Sequence, residues 1–97
     1  MRKAYLLLFS DATGGKQVIR EWLNREGAVI HWRTDMPNSF YLISEATANE
    51  LSQSLMNRIG KKGRHLVTEI TDNRQGMLPK ETWHLLRHKR REAPPES

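Results

Sequence analysis

"AVIHWRTDMPNSFYLIS", residues 28–44, decides the architecture. Its two ends, residues 28–33 and 40–44, are β-branched and aromatic, while "TDMPNS" between them is turn-forming, so the spacing predicts a β-hairpin. A helical pattern lies on either side of it. Upstream, Val18, Ile19, Trp22 and Leu23 fall at i, i+1, i+4 and i+5 between Lys16 and Glu26, and Gly27 follows as a stop. Downstream, Thr47 and Glu50 have the spacing of a capping box. Leu51, Leu55 and Ile59 then repeat along one face until Gly60 ends the helix. Further out, "KAYLLLFS" (3–10) is a strand stopped by Asp-Ala-Thr-Gly-Gly, and "RHLVTEI" (64–70) is a fourth strand. In "MLPKETWHLLRHKRR", Pro79 opens a terminal helix with Trp83, Leu86 and Arg90 along one side.

The order is βαββαβ plus a helix. This predicts an α+β fold, a ferredoxin-like sandwich with a four-stranded antiparallel sheet and both crossover helices on one face. Residues 1–78 form that domain, residues 79–91 append a C-terminal helix, and residues 92–97, "EAPPES", read as a disordered tail. Ninety-seven residues suffice for one core and no deep enclosed pocket. The absence of cysteine excludes a disulfide framework, a cysteine-ligated zinc site and a thiol nucleophile. The apolar run in "MRKAYLLLFS" is too short for a signal peptide, and no stretch approaches the ~20 apolar residues of a membrane span. The expected location is cytoplasmic, with no membrane partner.

The net charge of +5 is unevenly distributed. "RIGKKGR" (58–64) carries Arg58, Lys61, Lys62 and Arg64 without an acid, and the end of the terminal helix carries Arg87, Lys89, Arg90 and Arg91. Such clusters suit phosphate backbones, of RNA or DNA, because those contacts are chiefly electrostatic. They suit equally the solvated surface of a loop and a tail.

Two helices cover one face of a sheet, yet the strand residues are apolar on both. Tyr5, Leu7 and Phe9 point one way and Leu6 and Leu8 the other; Ile30 and Trp32 oppose Val29 and His31; Phe40 and Leu42 oppose Tyr41 and Ile43. Three coverings are open: the terminal helix folded back with Trp83 and Leu86 down, a second subunit, or stacked single-stranded nucleic acid. The homodimer is the preferred expectation, with Tyr5, Leu7, Phe9, Trp32 and Tyr41 as candidate interface residues.

The pattern "YLLLFSDATGG…LNREGAVIHW…SFYLISEATANELSQSL…HLVTEIT", over residues 4 to about 72, resembles the small CRISPR-associated ribonuclease/integration subunit superfamily. It is similar also to that superfamily's SinR-like and virulence-associated-protein-D-like relatives. The resemblance rests on a strand ending near an acid, a helix ending in Leu-x-x-x-Gly-Ala, an aromatic hairpin, and Thr-Ala-x-Glu-Leu opening the second helix. It implies a homodimer packed through its sheets. In the ribonuclease-type relatives it also implies an aspartate after the first strand, one from each subunit, holding a divalent cation. Asp11 is the residue that matches, although Ser10 stands between it and the strand's closing aromatic, Phe9.

Other signals carry less. "SDATGGK" keeps only Gly14-Gly15-Lys16 of a phosphate loop, and Gln17 stands where a Ser or Thr belongs; a turn capped by Asp11 or Thr13 is the expectation. His84 and His88 stand at i, i+4 without a glutamate between them or a third ligand nearby. His31 and His65 are expected to make structural hydrogen bonds, and Ser10 lacks a nucleophile elbow. The leading functional expectation is a homodimeric nucleic-acid-binding or regulatory module. The alternatives are a metal-dependent endoribonuclease or phosphodiesterase, with Asp11 paired across the dimer axis as catalytic residue and Mg²⁺ ligand, and a structural module that engages protein partners.

Overall fold

A computed structural model describes residues 1–90. Its elements follow the predicted order: β1 (Lys3–Phe9), α1 (Gly15–Arg25), β2 (Val29–Arg33), β3 (Ser39–Ser44), α2 (Ala48–Ile59), β4 (His65–Glu69) and α3 (Lys80–His88), with one 3₁₀ turn at Asp11–Thr13. The sheet order is β2-β3-β1-β4 with every neighbour antiparallel, the ferredoxin-like arrangement, and α3 is an addition to it. The expected disordered tail and Arg91 lie outside the described residues. Among the described residues no helix is long and apolar enough to cross a membrane.

Local chemistry sets the helix ends. Thr47 accepts from the Glu50 backbone N–H while the Glu50 carboxylate accepts from the Thr47 N–H, so the capping box forms at 3.1 and 2.9 Å. Hydrogen bonding from the Thr47 backbone, then from its side chain, lowers the Glu50 carboxyl pKa from its ordinary value. Leu51, Leu55 and Ile59 of α2, with Ile19, Trp22 and Leu23 of α1, bury themselves on Tyr5, Leu7, Phe9, Phe40 and Leu42 of the sheet. Phe40 stacks on Phe9 and takes the edge of Trp32, with ring centres 5.8 and 5.5 Å apart.

This corrects the interface expectation for all five residues: four lie on the helix side of the sheet, and Tyr41, 3 % exposed, is buried on the opposite side under α3. Tyr5, Leu7 and Phe9 are buried under the helices, and Trp32 packs against the same core, its indole N–H donating to Asn24 of α1. The sheet face they occupy is therefore closed within one chain. Strand β2 needs a second correction. A register shift between Val29 and His31 puts Val29 opposite Ser44 and His31 opposite Ile43. The extra residue of this bulge, Ile30, breaks strict alternation, so Val29 and Trp32 share the helix side while Ile30 joins the opposite face. Simple alternation had paired Ile30 with Trp32.

The opposite face is covered by α3. Leu85 and Leu86 pack on Ala4, Tyr41 and Ile43, with Leu6, Ile30, Ile70, Leu78 and Trp83 around them. Of the three coverings open to this face, the folded-back terminal helix occupies most of it. A polar clasp fixes its start. Arg33 Nε donates to Thr82 Oγ1 at 2.6 Å, Thr82 Oγ1 donates to Asp35 Oδ2 at 2.7 Å, and the Tyr41 hydroxyl donates to Asp35 Oδ1 at 3.1 Å. Thr82 is fully buried, so a lost partner there would strand a desolvated polar atom. At the far end of α3 the Arg2 guanidinium donates to the Lys89 carbonyl.

Thr82→Val keeps shape and volume but removes the bridging hydroxyl, and is expected to destabilise the fold by about 1–3 kcal/mol in chemical denaturation, with Thr82→Ser close to wild type. The clasp also has a pH signature. Burial, then the charge and hydrogen bond of Asp35, push the Tyr41 phenol up from 10.0 to about 12. The unfolded chain therefore loses this proton before the folded one does. The stability held by protonated Tyr41 is complete below pH 10.0 and falls as pH rises toward about 12. Tyr41→Phe is expected to flatten that part of the alkaline unfolding profile.

Candidate nucleic-acid interface

The cationic loop 60–64 is fastened to the end of β1. Ser10 N–H donates to the Arg64 carbonyl and Arg64 N–H donates to Ser10 Oγ, both at 2.9 Å, extending the β1–β4 ladder beyond the strands. Gly63, at φ +68°, allows the close approach: a Cβ there would stand 2.6 Å from Ser10 Oγ and 2.7 Å from the Thr13 nitrogen. Only glycine fits both that backbone conformation and that space. Lys61, Lys62 and Arg64 are exposed, and among the described residues none of them has a carboxylate within ion-pair distance. Arg58 differs, being paired with Glu21 of α1 at 3.2 Å.

The second cationic group lies at the other end of the sheet. Arg64 adjoins Ser10, just past β1, whereas Lys89 is bonded to Arg2, just before it. The intervening strand separates these points by ~26 Å. Arg87 and Arg90 are exposed and Lys89 is half-buried at the C-terminus of α3. One compact phosphate site cannot use both groups; a nucleic acid would have to run the length of the sheet.

The turn between β1 and α1 is a tight connection. Thr13 Oγ1 and N–H both donate to the Ser10 carbonyl, and Gly14, at φ +116°, turns the chain into α1. Lys16 bends away toward the hairpin, donating to the Met36 carbonyl and lying 5.7 Å above the Phe40 ring. Asp11 is exposed, and its Oδ1 accepts from Asn38 Nδ2, which also donates to the Phe9 carbonyl. Asn38 sits at φ 59°, a conformation asparagine tolerates, and its amide ties the hairpin turn to β1.

Asp11, Lys16, Asp35 and Asn38 line one open groove of ≈ 480 Å³. Its donor set fits a divalent cation poorly within one chain. Asp11 brings one carboxylate with one oxygen engaged by Asn38, and both oxygens of Asp35 already accept from Tyr41 and Thr82. Among the described residues no three His, Asp or Glu side chains converge in a way that could hold a metal. The His84 and His88 rings lie near one another, centres 4.6 Å apart and planes tilted by 49°, and His65 exchanges a hydrogen bond with Ser52 of α2 at 2.7 Å.

Two features of the surface were missed from sequence. Leu8 and Leu66, directly paired across β1 and β4, are 41 % and 55 % exposed on the face that α3 leaves open, beside the edge strand β4. The other is a stripe on α3, Lys80, Trp83, His84 and Arg87, at i, i+3, i+4 and i+7 along one side of the helix. Comparison with protein-family models, curated proteins and solved structures gives no match to this chain.

Proposed function

We propose that this compact domain is a nucleic-acid-binding module that acts as a homodimer, with Lys61, Lys62 and Arg64 as its phosphate contacts. The observation that carries the reading is the loop itself: three exposed cations, without carboxylate partners among the described residues, on a backbone held by the reciprocal Ser10–Arg64 bonds and the close-packed Gly63. A rigid loop presents its charges without a large ordering cost on binding. Arg58 contributes less, because Glu21 already neutralises it. Support for a dimer comes from the Leu8–Leu66 patch next to the unpaired edge of β4, where a second copy would remove apolar surface from water. The resemblance of the strand and helix motifs to the small CRISPR-associated subunits points the same way.

Fluorescence anisotropy with labelled RNA and DNA duplexes tests the reading. Log affinity is expected to fall against log salt with a slope of roughly −3 per protomer, and Lys61→Ala should reduce its magnitude by about 1. A flat salt response would remove the proposal. Running the same samples on denaturing gels with and without Mg²⁺ addresses the hydrolytic alternative. The binding module is expected to leave the strands intact; Mg²⁺-dependent cleavage abolished by Asp11→Ala would instead establish Asp11 as a catalytic residue.

A further inference from the structure

A second groove, of ≈ 670 Å³, runs between α3 and the segment 71–79, lined by Asp72, Arg74, Gln75, Leu78, Lys80, Trp83, His84 and Arg87. Its composition differs from the rest of the surface. Three cations face one carboxylate, and that carboxylate stands 3.7 Å from Arg74. Arg74 is built into the wall: its Nη1 also donates to the Thr71 carbonyl at 3.1 Å, and its side chain is only 22 % exposed. On the other wall, Thr82, Leu85 and Leu86 turn toward the sheet, which leaves Lys80, Trp83, His84 and Arg87 as the stripe along the groove. Lys80 and Arg87 are ~10 Å apart along the helix axis with the two aromatic rings between them. Trp83 is half-buried, one part packed on the cluster around Tyr41 and Ile43 and the rest in the groove.

We propose that this groove binds single-stranded nucleic acid, a base lying against Trp83 and backbone phosphates reaching Lys80, Arg87 and Arg74. An aromatic platform flanked by cations recognises unstacked bases, because every base has a π-face and every linkage a negative charge. An acidic peptide would use the cations and leave the tryptophan idle. The inference rests on the reading of the protein as a nucleic-acid-binding module, but it uses residues on a different surface from Lys61, Lys62 and Arg64.

The test is tryptophan fluorescence of the full chain titrated with a short 5′-phosphorylated oligothymidylate. Trp22 is buried and donates to Ser54, and Trp32 packs beneath α1, so a quench that vanishes in Trp83→Phe reports the groove. Near-ultraviolet circular dichroism of that variant verifies that the helix remains docked. Arg74→Ala combined with Arg87→Ala is expected to weaken the titration on the order of tenfold or more. A quench of unchanged midpoint in that double variant, no quench in the wild type, or an equal response to oligoglutamate would overturn the proposal. Duplex binding lost in Lys61→Ala/Lys62→Ala with the Trp83 quench retained sinks no part of it, and assigns the two surfaces separate ligands as expected. A quench retained when wild-type duplex binding shows no salt dependence would instead retire the loop reading alone.

Discussion

A sheet that is apolar on both faces has to be covered twice, and the rest of this structure depends on that constraint. Two crossover helices serve one side. The other needs an element beyond the βαββαβ core, and Leu85 and Leu86 of α3 meet Tyr41 and Ile43 there. Burying such side chains is worth roughly 1.5–3 kcal/mol each, a sizeable fraction of the ~5–15 kcal/mol net stability of a folded domain. The covering is incomplete. It closes the face over Ala4, Tyr41 and Ile43 and stops short of Leu8 and Leu66.

Apolar burial alone would let α3 slide along the sheet. The register comes from the polar clasp, in which one threonine hydroxyl both accepts from Arg33 and donates to Asp35. Each of its polar atoms is served, and among the described residues no buried side-chain nitrogen or oxygen lacks a partner. The clasp also occupies both oxygens of Asp35, so that this carboxylate, on the wall of the groove beside Asp11, already accepts from Tyr41 and Thr82. Placing α3 against the segment 71–79 in turn creates the cationic groove. Fold and surface chemistry are linked through this one docking geometry.

Element order and type were legible because each had a local cause: leucine spacing in α2, the Thr47–Glu50 box, and a hairpin marked by Asp35 to Asn38. The faces were less legible. Nothing in "VIHWR" announces a bulge, and with both sides of β1 apolar the alternation cannot say which side the helices choose. The clasp joins residues 33, 35, 41 and 82, a non-local set that no spacing rule connects. Of the candidate site, the exposure of Lys61, Lys62 and Arg64 could be expected from an acid-free loop. The pairing of Arg58 with Glu21 and the engagement of Asp11 by Asn38 depend on tertiary approach.

Helix α3 reaches the sheet through residues 70–79, which contain no regular element, and it adds nothing to the β-ladder. Its release would leave the four strands and two crossover helices hydrogen-bonded as before. Detaching α3 would therefore break its apolar packing and the polar clasp but no strand pairing. During synthesis the four strands emerge ahead of α3. For that interval Ala4, Tyr41 and Ile43 form a naked adhesive surface, and the newborn domain is at its most prone to misassociate until its last helix arrives.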